Sequence, residues 1–158
     1  MIISTREQPA IRRTAFKIGI SQTSAGSVTT PGGYGKEDNE DFQFHLYDRR
    51  PLGKVIEDVL EDKFLPSFCT ACYRSGRTGE AFMRIAKPGE VHNFCRVNGI
   101  LTFAEYLEDY ATAENKNLYR KGYEVIEYYL KKIENPDLRQ KTAERLGKIR
   151  EGSRDMYF

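Results

Sequence analysis

The chain has 158 residues, enough for one domain or for a small domain and part of another. It is 39% hydrophobic and 30% charged, with 25 Lys+Arg against 23 Asp+Glu, a formal net charge of +2. That balance excludes general affinity for nucleic acid or membrane surfaces, and no apolar run approaches the roughly 18 residues of a membrane span. No basic leader with an apolar h-region precedes the first element, so a cytoplasmic setting is expected.

Met1 to Ser4 reads as the end of a buried strand. In TREQPAIRRTAFKIGI, Ile11, Ala15, Phe16 and Ile18 recur at helical spacing, Pro9 suits a first turn, and Gly19 is a stop. Ser21 to Ala25 predicts a second strand, followed by the loop GSVTTPGGYGKEDNEDF. Leu52, Val55, Ile56, Val59 and Leu60 form the stripe of another helix, and Phe64 to Phe68 predicts a third strand. Strand, helix, strand, helix, strand is an α/β order with parallel strands and right-handed crossovers. Two or three such strands cannot close a barrel, so this portion resembles the end of something larger.

Past Cys69 helical signals take over. Helices are predicted from Thr78 to Ile85, from Thr102 to Tyr110 with a Thr102/Glu105 capping box, over 113 to 133, and from Asp137 to Arg150 after the break at Asn135-Pro136. The expected division is therefore an α/β piece over 1–68 and a helical piece over 69–158.

Chemistry concentrates in FCTACYRSGRTGEAF and the later HNFC, which carry Cys69, Cys72 and Cys95 in a Cys-x2-Cys-x22-Cys spacing. Three cysteines argue against a closed disulfide framework and for metal or redox use. A thioredoxin-like pair would open a helix, whereas Tyr73 to Gly76 reads as a loop, and it leaves Cys95 idle. A structural zinc site would use the three thiols with His92, three residues before Cys95. An iron–sulfur cluster would use the three thiolates and leave one iron of a four-iron cube open. Arg74 and Arg77 stand near enough in sequence to offset its negative charge. The spacing alone leaves zinc and cluster both open.

The segments STRE, SQTSAGSVTTPGGYG and PSFCTACYRSGRTGEAFM, with Cys95 downstream, resemble the radical-SAM tyrosine lyases that mature FeFe-hydrogenase (HydG type). The related 2-iminoacetate synthases (ThiH type) are similar in the STRE and SAG-x3-PGGY segments but lack these cysteines. The resemblance covers essentially the whole chain. It implies that residues 1–68 are the last strand–helix units of a radical-SAM (βα) barrel and 69–158 a helical accessory-cluster domain. It implies a 4Fe-4S cluster on Cys69, Cys72 and Cys95 with one open iron, and tyrosine binding by Ser4 and Arg6, joined by Ser24. An arginine fork and a hydroxyl suit a carboxylate.

The upstream Cys-x3-Cys-x2-Cys loop of such enzymes is not in this sequence. SAM and a second 4Fe-4S cluster are thus expected on a missing N-terminal barrel portion, Met1 is not a family-typical start, and the isolated chain is expected to be inactive. The extra-iron histidine of the family is also expected upstream, so neither His45 nor His92 inherits that role. The implied reaction cleaves tyrosine to p-cresol and dehydroglycine and turns the latter into iron-bound CO and cyanide. The implied partners are tyrosine, the missing barrel portion and other hydrogenase maturation proteins. A zinc-stabilised helical binding module without catalysis is the alternative.

Overall fold

The computed structural model describes residues 1–34, 44–111 and 115–158. The acidic end of the predicted glycine-rich loop and the first residues of the helix expected from 113 lie outside them. The chain divides into two compact units, Met1–Val59 and Leu60–Phe158.

In the first unit, β1 (Ile2–Ile3) pairs in parallel with β2 (Gln22–Thr23), Ile2 opposite Gln22 and Ile3 opposite Thr23. Helix α1 (Pro9–Lys17) makes the crossover. Pro9 opens it at no hydrogen-bond cost, because a first-turn N–H has no helical partner anyway. Gly19 ends it at φ +102°, a left-handed conformation that residues with a Cβ rarely adopt. The buried residues of α1 are Arg12 and Ala15, while Ile11 is 50% and Ile18 78% exposed. The expected apolar stripe is therefore inner only in part, with Ala15 buried and Phe16 half-buried but both isoleucines outside. Arg12 is inside because its guanidinium finds a carboxylate there, as described below. Helix α2 (Leu52–Glu61) buries Val55, Ile56 and Leu60, as its spacing predicts.

The second unit is a helical bundle around α5 (Val91–Tyr110), which packs against α6 (Lys116–Lys131) and α7 (Pro136–Arg150). Two shorter helices precede it, α3 (Ala71–Arg74) and α4 (Gly79–Ala86). Helix α5 buries Val97 through Leu101, Phe103, Ala104 and Leu107, covering most of its circumference, as a central helix must. The side chains of Asn115 and Asn135 cap α6 and α7 by accepting from Leu118 N (3.1 Å) and Leu138 N (3.0 Å).

Two expectations give way here. Phe64 to Phe68 is not a strand: the segment is irregular, and Phe68 N–H is spent on Thr102 Oγ1 at 3.3 Å. Thr102 is not an N-cap either, because α5 begins eleven residues earlier, at Val91. Its hydroxyl bonds back to Asn98 O at 2.9 Å, and Glu105 accepts from Met156 N at 2.7 Å rather than closing a capping box. The chain is mainly helical among the described residues, with one small parallel sheet. No described helix is long and apolar enough to cross a membrane.

Candidate functional site

Gly99 places the cysteine segment on the bundle. It lies mid-helix in α5, where a Cβ would stand 3.3 Å from Leu65 Cδ2 and 3.6 Å from Ser67 Cβ and Oγ. Hydrogen at that position lets residues 65–67 approach the helix closely, and the Phe68–Thr102 bond holds them there. Gly99 lies one turn after Cys95 on α5, and Cys69 follows directly on the residue bonded to Thr102. Cys69 N–H donates to Ser67 Oγ at 3.3 Å, and Cys69 Sγ accepts from Ala71 N at 3.4 Å.

Cys72 lies inside α3, so Tyr73 and Arg74 form a helical turn rather than the expected loop. Ser75 N closes on Ala71 O at 2.8 Å. Gly76, at φ +65°, then reverses the chain, and Arg77 N returns to Cys72 O at 2.8 Å. Cys69 and Cys72 are half-buried and Cys95 is exposed. Their proximity shows in the Cys95 thiol. Desolvation pushes its pKa up first, Cys72 and then Cys69 push it further as like charges, and Arg77 pulls it back.

Arg74 and Arg77, equivalent in the sequence, have different tasks. Arg74 forms a two-pronged ion pair with Asp155, whose carboxyl it holds below its ordinary value, and its guanidinium lies over the Tyr157 ring. Arg77 Nη2 donates to Phe158 O at 2.6 Å, and its Nε is buried with no hydrogen-bond partner. An unmatched buried donor, here without a partner among the described residues, costs stability, and the sulfides of a bound cluster are acceptors that such a donor could use. Asn98, buried one turn after Cys95, grips the same terminal segment, accepting from Phe158 N at 2.8 Å and donating to Phe158 O at 3.2 Å. Sequence reasoning missed this clasp, since nothing local to Asn98 signals a partner sixty positions on.

Among the described residues, no three His, Cys, Asp or Glu side chains stand close enough to hold a metal ion. A zinc ion needs every sulfur about 2.3 Å away, so the set Cys69, Cys72, Cys95 and His92 is not assembled. His92 instead lines a separate depression with Asn93, Arg96, Ile133 and Leu138. His45 lies in the first unit, its ring 4.5 Å from that of Tyr47.

The other sequence-selected residues sit at the carboxyl ends of the paired strands. Ser4 and Ser24 each follow immediately on the paired residues Ile3 and Thr23, and Ser24 N donates to Ile3 O at 3.4 Å. Ser4 Oγ accepts from Arg6 N at 3.3 Å. The exposed Arg6 guanidinium lies 3.9 Å over the Phe44 ring, a cation–π seat, and among the described residues it makes no ion pair. A serine hydroxyl and an arginine on one short segment, with a second serine on the neighbouring strand, are the groups a carboxylate ligand needs.

The whole chain matches a crystal structure of HydG, described as a maturase of the FeFe-hydrogenase, at 47% identity and a TM-score of 0.89. The match covers 100% of this chain and 34% of the HydG chain, so the protein spans about a third of that structure's length. No family model and no curated protein matches the chain.

Proposed function

We propose, from the 47% identity to HydG over the whole chain, that this chain is the accessory-cluster portion of a HydG-type maturase of FeFe-hydrogenase together with part of the tyrosine site. Residues 1–68 are read as the last strand–helix units of a radical-SAM barrel and 69–158 as the helical accessory domain. The α1 crossover between two parallel strands supports the first reading. Cys69, Cys72 and Cys95 are the residues that would hold a 4Fe-4S cluster. The observation that supports this is that Cys72, Cys69 and Arg77 all act on the charge of the Cys95 thiol, together with a buried Arg77 Nε that has no hydrogen-bond partner among the described residues.

Such a cluster, with one iron not bound by cysteine, would supply the place where dehydroglycine is converted to CO and cyanide. The chain's own residues bind and shield. Ser4, Arg6 and Ser24 would hold the amino-acid end of tyrosine, fixing its Cα–Cβ bond for cleavage to p-cresol and dehydroglycine. Arg77 offsets thiolate charge, and the Asn98 clasp keeps Arg77 turned toward the sulfurs. SAM, its own 4Fe-4S cluster and the remaining barrel would come from the portion of the maturase this chain does not match, and the product would pass to the other hydrogenase maturation proteins.

Anaerobic reconstitution of the chain with iron and sulfide, followed by iron and sulfide analysis, absorption and EPR, tests the assignment. The expected result is a brown protein with a four-iron signal that Cys95→Ala lacks. A colourless chain that takes up one zinc instead would overturn it in favour of a zinc-stabilised binding module.

A further inference from the structure

Beneath Ser4, Arg6 and Ser24 lies a charged pair that the sequence did not single out. Arg12 is 2% and Asp48 1% exposed, and they are joined by an ion pair. Arg12 also donates through Nη2 to Thr23 Oγ1 and to the carbonyl of Ser24, so its planar fork grips the end of β2. Asp48 reaches the other strand end through its backbone. Its N–H and that of Tyr47 both donate to Thr5 O at 3.1 Å, and Thr5 lies between Ser4 and Arg6. The Asp48 carboxylate is held in turn by Arg50, through Nε at 2.9 Å, Nη2 at 2.9 Å and the backbone N–H at 3.2 Å. Arg50 is itself tied to Asp58 on α2.

Burying such a pair is a poor way to stabilise a fold. Desolvation cancels much of the attraction, and apolar side chains of similar volume often do as well. Arg12 Nε is moreover buried without a partner among the described residues, a further cost. What the pair does supply is directional restraint: one side chain fastened to the end of one strand, its partner to the end of the next.

We propose that Arg12 and Asp48 are positioning residues for the tyrosine site, locking the backbone of Ser4–Thr5–Arg6 against that of Ser24 so that the ligand groups keep a fixed separation. The inference rests on the assignment of Ser4, Arg6 and Ser24 as tyrosine ligands. Neither Arg12 nor Asp48 touches the substrate; both act through the backbone of residues that do.

The test uses the reconstituted maturase holoenzyme in which this chain supplies its segment. KM for tyrosine, kcat for p-cresol and iron content are measured for Asp48→Asn, Arg12→Lys, Thr23→Val and Arg6→Ala. Thr23→Val removes the hydroxyl that receives Arg12 and itself reaches Ile3 O at 3.2 Å across the strand pair, and it serves where a charge substitution loses soluble protein. Loosening the strand ends is expected to raise KM roughly tenfold to a hundredfold, as small misplacements of positioning groups do, with kcat and iron content kept. An unchanged KM in the three network variants alongside a raised KM in Arg6→Ala overturns the inference and leaves the ligand assignment standing. An unchanged KM in Arg6→Ala as well overturns the assignment and the inference with it. Loss of kcat, iron and solubility together in all three network variants also overturns it, because the pair would then only hold the unit folded.

Discussion

Gly122 and Gly147 are both helical glycines, and alanine should act on them with opposite sign. On α6, a Cβ at Gly122 would stand 2.5 Å from Leu107 Cδ1, 2.8 Å from Cδ2 and 3.2 Å from Cγ. Carbon contacts are comfortable at about 3.5–4.0 Å, so Leu107 or the helix must move by about an ångström. Leu107 is 0% exposed, which closes off easy rotamer escape. Overpacking of this kind costs about 1–3 kcal/mol, and alanine recovers about 0.8–1.0 kcal/mol of helix propensity, leaving a net loss of about 1 kcal/mol. At Gly147 on α7 a Cβ meets nothing within 4 Å, so only the propensity gain remains, about 0.5–1 kcal/mol.

Urea unfolding of the whole chain, followed by far-UV circular dichroism, checks both. With a slope of about 1–3 kcal/mol/M, the two midpoints should part by about 1 M, Gly122→Ala falling and Gly147→Ala rising. Shortening the obstructing side chain with Leu107→Val should cost less in the Gly122→Ala background than alone. A rise in both midpoints would refute the close helix approach. The outcome bears on the site because α5 carries Cys95 on the same rod that Gly122 lets α6 reach.

In the complete maturase, Cys95→Ala should keep p-cresol production and lose CO, measured in one sample; parallel loss of both would point to a structural site. Asn98→Ala removes both bonds to Phe158, worth about 1–3 kcal/mol locally. It should speed amide hydrogen exchange at Met156 to Phe158, and unchanged protection there would show that the terminal segment is held without it by Arg74, Arg77 and Arg145, whose Nη1 donates to Tyr157 O at 2.6 Å. The Asp48 carboxyl is held below its ordinary value, chiefly by the Arg50 side chain, against the opposing effect of burial. A depressed folded value stabilises the fold above the unfolded value of about 4 and is lost as pH falls through the folded one. Urea midpoints should therefore drop below about pH 4 in the parent chain and drop less in Asp48→Asn; equal acid limbs would dissociate Asp48 from the effect.

Where the rule is local, the sequence by itself determined the outcome. Pro9 opens α1, Gly19 stops it, and Asn135-Pro136 separates α6 from α7. Each of these depends on conformational preferences or chemistry carried within a turn or two of chain. The tertiary structure alone decided the rest. The helix expected from Thr102 begins at Val91, and Gly99 inside it leaves the space that Leu65 and Ser67 occupy. Ile11 and Ile18 show helical spacing, yet Arg12 is the buried residue, since Asp48 and the end of β2 supply partners for a guanidinium. Phe64 to Phe68 has strand composition and no ladder, because its backbone meets a helix and a threonine hydroxyl instead of another strand. Arg74 and Arg77 take separate roles only where Asp155 and Phe158 reach them from the far end of the chain. Burial of polar groups and close backbone approach are settled by which partner arrives, and that partner lies tens of residues away in sequence.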